Sequence, residues 1–312
     1  MSYIDKNMNI KNLIAATYTP LNQSGDLNLG VIKDYGEFLK SNNVAGAFVN
    51  GSTGDFASLT PVERKLIIDE WAMNRQKDFA LINHVGDISL KTAKDLASHC
   101  ADKVDAIASL SPFYFKPRSL QHLVDYCSDI AICAPNIPFY YYHIPVLTGA
   151  NYSMKNFLEL AEKQIPNLGG IKFTNNDVIG FKHSQNYNNN KYNILYGVDE
   201  MFLSSLPYKA KGWVGSTYNH LAPLYYKIKE AFDNGDIALA TELQDKSVQF
   251  VELLDSRGGF NGVGKSFMKV LGIDCGPCRF PHKTVLNEEL AEIEKLLRGF
   301  GIMEYTSVLV KV

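Results

Sequence analysis

Short apolar runs recur along the chain, with helix-length amphipathic segments between them. The runs are Leu13 to Tyr18, Val44 to Asn50, Phe79 to Val85, Val104 to Leu110, Ile137 to His143, Gly169 to Thr174, Tyr192 to Tyr196 and Gly212 to Ser216. The intervening helices fall at Leu29 to Ser41, Val62 to Gln76, Leu90 to Ala101, Leu120 to Ala131 and Tyr152 to Lys163, the second behind a Thr60-Pro61 start signal. Eight strands alternating with helices predict an α/β chain folded as a parallel (β/α)8 TIM barrel.

After the eighth run the period changes. Helical segments follow at Leu221 to Phe232, Asp236 to Leu254, Gly262 to Leu271 and Glu288 to Leu297, so residues 1–220 form the barrel and 221–312 a C-terminal helical extension packed on it as one structural unit. The apolar ending Val308-Leu309-Val310-Lys311-Val312 is expected to dock on the tail helices or on a neighbouring subunit. Asn186 to Asn193 is the one biased stretch, and a surface connection between a helix and strand seven accounts for it.

One residue breaks the apolar pattern of the sixth run. Lys172 follows Gly170 and Ile171, precedes Phe173, and is flanked by Thr174 and the run-ending Asn175-Asn176-Asp177. A buried ammonium is costly unless it is paired, snorkels out, or becomes neutral; a neutral lysine is an amine nucleophile able to form a Schiff base with a carbonyl.

In a barrel of this kind the C-terminal ends of the strands face one pocket, and here those ends are polar. They carry Asn50-Gly51-Ser52-Thr53-Gly54-Asp55, Ser109 to Tyr114, Tyr140 to His143, Lys172 with Thr174, Gly197-Val198-Asp199-Glu200 and Gly215-Ser216-Thr217. Gly51 to Gly54 has the makings of an anion cradle, two glycines freeing backbone N–H groups and two hydroxyls adding donors; a simple turn is the alternative. Strand alternation puts Tyr140 and Tyr142 on one face and Tyr141 and His143 on the other. Tyr142 is the natural proton carrier, given help from Ser52 and Tyr114, with aromatic packing as the alternative. Asp199 and Glu200 either stabilise a helix start or accept hydrogen bonds from a polyhydroxylated substrate.

Composition narrows the chemistry. At 312 residues and 46% hydrophobic content the chain can bury a large core, and a formal charge of -2 without a dense basic run points away from nucleic acid and anionic membranes. The charged start Met1 to Asn7 does not suit a secretory signal, and no run reaches the ~18 apolar residues of a membrane span. With five scattered cysteines this favours the cytoplasm. Cys275-Gly276-Pro277-Cys278 is a lone C-x-x-C late in the tail, and His84, His143 and His220 lack ligand spacing, so no metal is expected.

In order and spacing these motifs resemble the N-acetylneuraminate lyase and dihydrodipicolinate synthase family of class I aldolases. The residues that carry the resemblance are Gly51 to Asp55, Tyr142-His143-Ile144-Pro145 with Leu147-Thr148-Gly149, Gly170-Ile171-Lys172 with Thr174, Gly197 to Glu200, and Gly215 to Asn219. Tyr140 to Pro145, Gly215 to Asn219 and Gly276 to Pro281 are similar to its animal-type N-acetylneuraminate lyases. The resemblance implies cleavage of N-acetylneuraminate to N-acetylmannosamine and pyruvate through a Schiff base on Lys172, with no cofactor. It further implies that Ser52 and Thr53 hold the carboxylate and that Tyr142 shuttles the proton with Ser52 and with Tyr114 of an adjacent subunit. Thr174, Gly197, Asp199, Glu200, Ser216 and Phe260 would line the sugar site, and the chain would form a homotetramer. Asp55 stands where the family usually has Glu, which questions the reach of that carboxylate. Leu147 stands where a dihydrodipicolinate synthase has Arg for a second carboxylate. The alternatives are another pyruvate-dependent aldolase, dihydrodipicolinate synthase-like or acting on 2-keto-3-deoxy sugar acids, and a catalytically silent pyruvate-binding regulator.

Overall fold

A computed structural model describes residues 10–309, so the charged start Met1 to Asn7 and the last three residues of the apolar tail lie outside the described residues. Eight parallel strands close into a barrel in sequence order, β8 returning to β1. They are β1 Asn12–Ala16, β2 Gly46–Val49, β3 Ala80–His84, β4 Ala106–Leu110, β5 Phe139–His143, β6 Leu168–Phe173, β7 Asn193–Tyr196 and β8 Gly212–Gly215. The helices along the barrel are α1 Val31–Ser41, α2 Pro61–Met73, α3 Leu90–Cys100, α4 Leu120–Ala131, the short α5 Pro145–Thr148, α6 Met154–Gln164, α7 Val178–Asn186 and the short α8 Phe202–Ser205. Then come α9 Tyr218–Asp233, α10 Ile237–Ser256, α11 Phe260–Phe267 and α12 Asn287–Gly299.

Local chemistry sets the helix starts. Thr60 accepts from the Glu63 N–H while the Glu63 carboxylate takes the Thr60 N–H, and Pro61 fills the first turn of α2. Ser89, Ser119 and Ser153 cap α3, α4 and α6 by accepting from the N–H groups of Thr92, His122 and Asn156. Helix α7 was not bounded by the sequence pattern, because it buries only Phe181 and Ser184; Asp177 supplies its cap by accepting from the Gly180 N–H at 2.8 Å. The 220/221 division falls inside α9, at Leu221, whose backbone leaves the helical region.

Two cores follow from strand alternation. Inside the barrel pack Ile14, Phe48, Ile82, Ala108, Leu110, Tyr140, Tyr142, Leu195 and Val214. Between barrel and helices lies a second core that runs on into the tail through Tyr218, Phe250, Leu254, Phe267 and Ile293. Tyr140 and Tyr142 thus face inward, while Tyr141 points outward and stacks on Phe157 with centroids 4.6 Å apart. Of the tail, Val308 is tied to Asn42 at the end of α1 by two hydrogen bonds of 3.0 and 2.8 Å.

Candidate active site

Leu110, Tyr142, Lys172 and Leu195 are register partners across β4, β5, β6 and β7. Their neighbours Ile171 and Phe173 face the outer core, so Lys172 points into the barrel beside three apolar partners. It is 4% exposed. Among the described residues its amine makes no ion pair or hydrogen bond; it sits 3.8 Å from the Tyr142 ring centroid and 4.4 Å from that of Phe48. Of the three ways to bury a lysine, pairing is therefore absent among the described residues, and the side chain lines a cavity.

That cavity, of about 640 Å³, opens at the C-terminal ends of the strands. Ser52, Thr53, Tyr142, Lys172, Thr174, Gly197, Asp199, Glu200, Ser216 and Phe260 all line it. Tyr114 does not: it is 74% exposed and packs edge-on against Phe115, itself 85% exposed. Sequence reasoning missed Asp255, Asn261 and His282 in the wall, and the only pointer to them was their closeness to Phe260 and to the Gly276 to Pro281 motif.

The Ser52 hydroxyl lies 3.4 Å from the Tyr142 hydroxyl, a contact either oxygen can donate. Tyr142 is braced by edge contacts with Phe48 and His84, whose centroids lie 5.6 and 5.9 Å away. His84 itself is fully buried and committed: Nδ1 lies 2.8 Å from the Asn50 carbonyl and Nε2 accepts from the Leu110 N–H. Burial holds its pKa well below the usual range, and the buried His143 and His220 titrate at about 4 for the same reason. These three histidines brace backbone or neighbouring side chains, and no group of three or more potential metal ligands exists among the described residues.

Asp55 spends its shorter carboxylate locally. It sits at φ 51°, its Oδ2 accepts from the Ser58 hydroxyl at 2.6 Å, and its Oδ1 lies 3.7 Å from His282 Nε2. Cys275 and Cys278 are free thiols whose pKa values burial raises, Cys275 to about 12, so neither is a ready nucleophile.

On the opposite wall Asp199 is 4% exposed. Its Oδ2 accepts from the Thr217 N–H at 2.8 Å and the Thr217 hydroxyl at 2.7 Å, while Oδ1 has no partner. The Thr174 hydroxyl is likewise buried and unpartnered. Glycines make room for both: a Cβ on Gly215 would come 1.7 Å from Asp199 Oδ1, and one on Gly197 would come 2.2 Å from Thr174 Oγ1. The site thus pairs an isolated amine and two linked hydroxyls with a wall of unspent polar atoms.

The sequence profile of the Dihydrodipicolinate synthetase family matches residues 9–299. The chain belongs to that family. N-acetylneuraminate lyase of Mus musculus is 35% identical over 304 residues, 96% of this chain and 95% of that protein. The Xenopus tropicalis N-acetylneuraminate lyase is 40% identical over 276 residues, 87% of this chain and 90% of that protein. Among solved structures, Proteus mirabilis N-acetylneuraminate lyase superposes with a TM-score of 0.90 at 34% identity, covering 94% of this chain and 99% of that one.

In this member of the dihydrodipicolinate synthetase family, burial and then the neighbouring Glu200 charge push Asp199 up to about 6. A carboxyl whose folded pKa exceeds its unfolded value destabilises the fold when ionised. That cost is absent below the unfolded pKa, grows as pH rises between the two, and is complete above about 6. Asp199→Asn keeps an acceptor for Thr217 and removes the charge. It is expected to raise Tm by roughly 2–5 °C at pH 7.5, with the gain shrinking toward pH 4. Calorimetry of both proteins across that range checks this; a gain independent of pH would show that the charge is not its source.

Proposed function

We propose that the chain is a class I aldolase that reversibly cleaves N-acetylneuraminate to N-acetylmannosamine and pyruvate. The observation that carries this reading is the Lys172 amine, unpaired among the described residues and facing the cavity from a ring of apolar partners. Support for the substrate comes from the relatives named N-acetylneuraminate lyase at 35–40% identity over most of the chain.

In the mechanism, Lys172 adds to the ketone carbon of the open-chain sugar acid and water leaves, giving an iminium. Tyr142 removes the proton of the hydroxyl on the carbon at the far end of the bond that breaks, two carbons from the iminium carbon, and that carbon departs as the aldehyde. The bonding pair moves into the iminium, which becomes an enamine; reprotonation and hydrolysis return pyruvate and free lysine. Ser52 and Thr53 hold the pyruvate carboxylate, and Ser52 passes the Tyr142 proton onward together with Tyr114 of an adjacent subunit. The exposure of the Tyr114 and Phe115 rings supports their use by a neighbouring chain in a homotetramer. Thr174, Gly197, Asp199, Glu200, Ser216 and Phe260 receive the sugar, and the unspent oxygens of Thr174 and Asp199 suit its hydroxyls. This reading places the enzyme in the cytoplasm; among the described residues no helix is long and apolar enough to cross a membrane.

Substrate choice tests it. Leu147 lines the cavity where a second substrate carboxylate would need a cation, and Asp199 and Glu200 repel one. Asp199→Asn and Glu200→Gln are each expected to lower kcat/KM for N-acetylneuraminate about 10- to 100-fold, the cost of unpaired buried polar groups, with the pyruvate adduct on Lys172 intact. Faster condensation of pyruvate with aspartate semialdehyde than cleavage of N-acetylneuraminate by the wild type would overturn the substrate assignment alone. Chelators are expected to leave activity unchanged, because the iminium takes the electron pair that a metal would otherwise stabilise.

A further inference from the structure

Two side-chain amides of the helical tail hold loops of the active site, each on a different half of it. In α11, next to Phe260, the Asn261 amide Nδ2 donates to the Ser52 carbonyl at 3.2 Å and lies 3.4 Å from His282 Nε2. Ser52 sits in the Gly51 to Gly54 turn and its hydroxyl contacts Tyr142, so the bond fixes both the cradle and the start of the proton path. The same loop is gripped further along by Arg279, which donates to the Ser58 carbonyl at 2.8 Å and pairs with Glu63. Glu63 answers with a pKa held down to about 2 by the guanidinium.

On the far wall, Gln244 of α10 is 8% exposed and fully engaged. Its Nε2 donates to the Asp199 carbonyl at 3.2 Å and to the Ser247 hydroxyl at 2.5 Å, and its Oε1 accepts from the Leu203 N–H at 2.8 Å. The turn from Asp199 to Leu203 is thereby held from behind, while Thr217 holds the Asp199 side chain from the other side. Neither amide belongs to a barrel strand, and each donates to the main chain of a site loop.

We propose that Asn261 and Gln244 are positioning residues, Asn261 for the pyruvate half of the site and Gln244 for the aldehyde half. The inference rests on the aldolase reading for what each half binds. A loop terminus displaced by about 1 Å can cost on the order of 100-fold when its groups must meet substrate in a fixed orientation. Because the two contacts lie on separate walls, their losses have separate signatures.

The test compares Asn261→Leu and Gln244→Met with wild type in the condensation direction. Pyruvate is one substrate, and the other is whichever aldehyde the wild type condenses best. For Asn261→Leu, the KM for pyruvate is expected to rise roughly 10-fold and borohydride trapping on Lys172 to slow, with the aldehyde KM within about twofold of wild type. Gln244→Met is expected to show the reverse. Asn261→Ser and Gln244→Asn, which keep a donor at each position on a shorter arm, serve if the first pair does not fold and are expected to show the same crossed pattern in weaker form. Equal changes in both constants for either variant, or no change, would overturn the inference and reduce the amides to general supports of the fold. Failure of the wild type to trap pyruvate at all would instead remove the aldolase reading, and the inference with it.

Discussion

Pyruvate and borohydride are expected to modify Lys172 and no other lysine, and Lys172→Ala to lower turnover on the order of 10⁴- to 10⁶-fold, the range seen when a nucleophile is removed. The contrast that makes this informative is Lys265. It too is buried, at 6% exposure, and burial lowers its pKa. Burial alone therefore does not single out Lys172. What separates them is access and occupation: the Lys265 amine donates to the Pro277 carbonyl at 2.6 Å and lies outside the lining of the large cavity. The Lys172 amine has no such partner among the described residues and faces that cavity. Peptide mass mapping after reduction decides it. Label on Lys265, or none on Lys172, would end the Schiff-base mechanism.

The barrel was legible because its physics is periodic. Each strand is a short, largely apolar run buried almost throughout, and most of the major helices bury several apolar residues at helical spacing. Helix α7 escaped because Gly180, Lys182 and His183 leave it only two buried residues, too few to make a period. The same parity that placed Tyr142 inward placed Lys172 beside it, since the two are register partners. Site residues on strand ends could therefore be read from sequence.

The rest of the site obeys no period. Asn261, Asp255 and His282 reach the cavity through the packing of α10, α11 and the loop that follows, more than 200 positions along the chain from the Ser52 turn that Asn261 supports. A polar residue at the start of a short helix has an ordinary explanation as helix-end chemistry, and nothing in its spacing marks a distant partner. Gln244 is hidden for the same reason: it looks like one more polar residue on a long amphipathic helix. Tyr114 is the opposite case, named in advance by resemblance yet facing solvent in its own chain.

Tyr142→Phe is expected to form the pyruvate adduct on Lys172, at a reduced rate, while losing about 100- to 10,000-fold in turnover, the usual worth of a positioned acid–base group. The substitution removes one oxygen and leaves the packing. The ring that lies 3.8 Å under the Lys172 amine is retained, as are its edge contacts with Phe48 and His84, so the lysine keeps its seat. What goes is the hydroxyl 3.4 Å from Ser52. Ser52→Ala resolves the remaining ambiguity, because Ser52 serves both the cradle and the proton path. If the hydroxyls form one relay, the double variant is scarcely slower than Tyr142→Phe alone, since removing one member already breaks the path. If they act independently, the two losses multiply. Single-turnover measurement of N-acetylneuraminate cleavage, with adduct formation followed separately by trapping, reads both quantities. Turnover of Tyr142→Phe within about twofold of wild type would show that the tyrosine is there for its ring, and the proton would then need another carrier in the cavity.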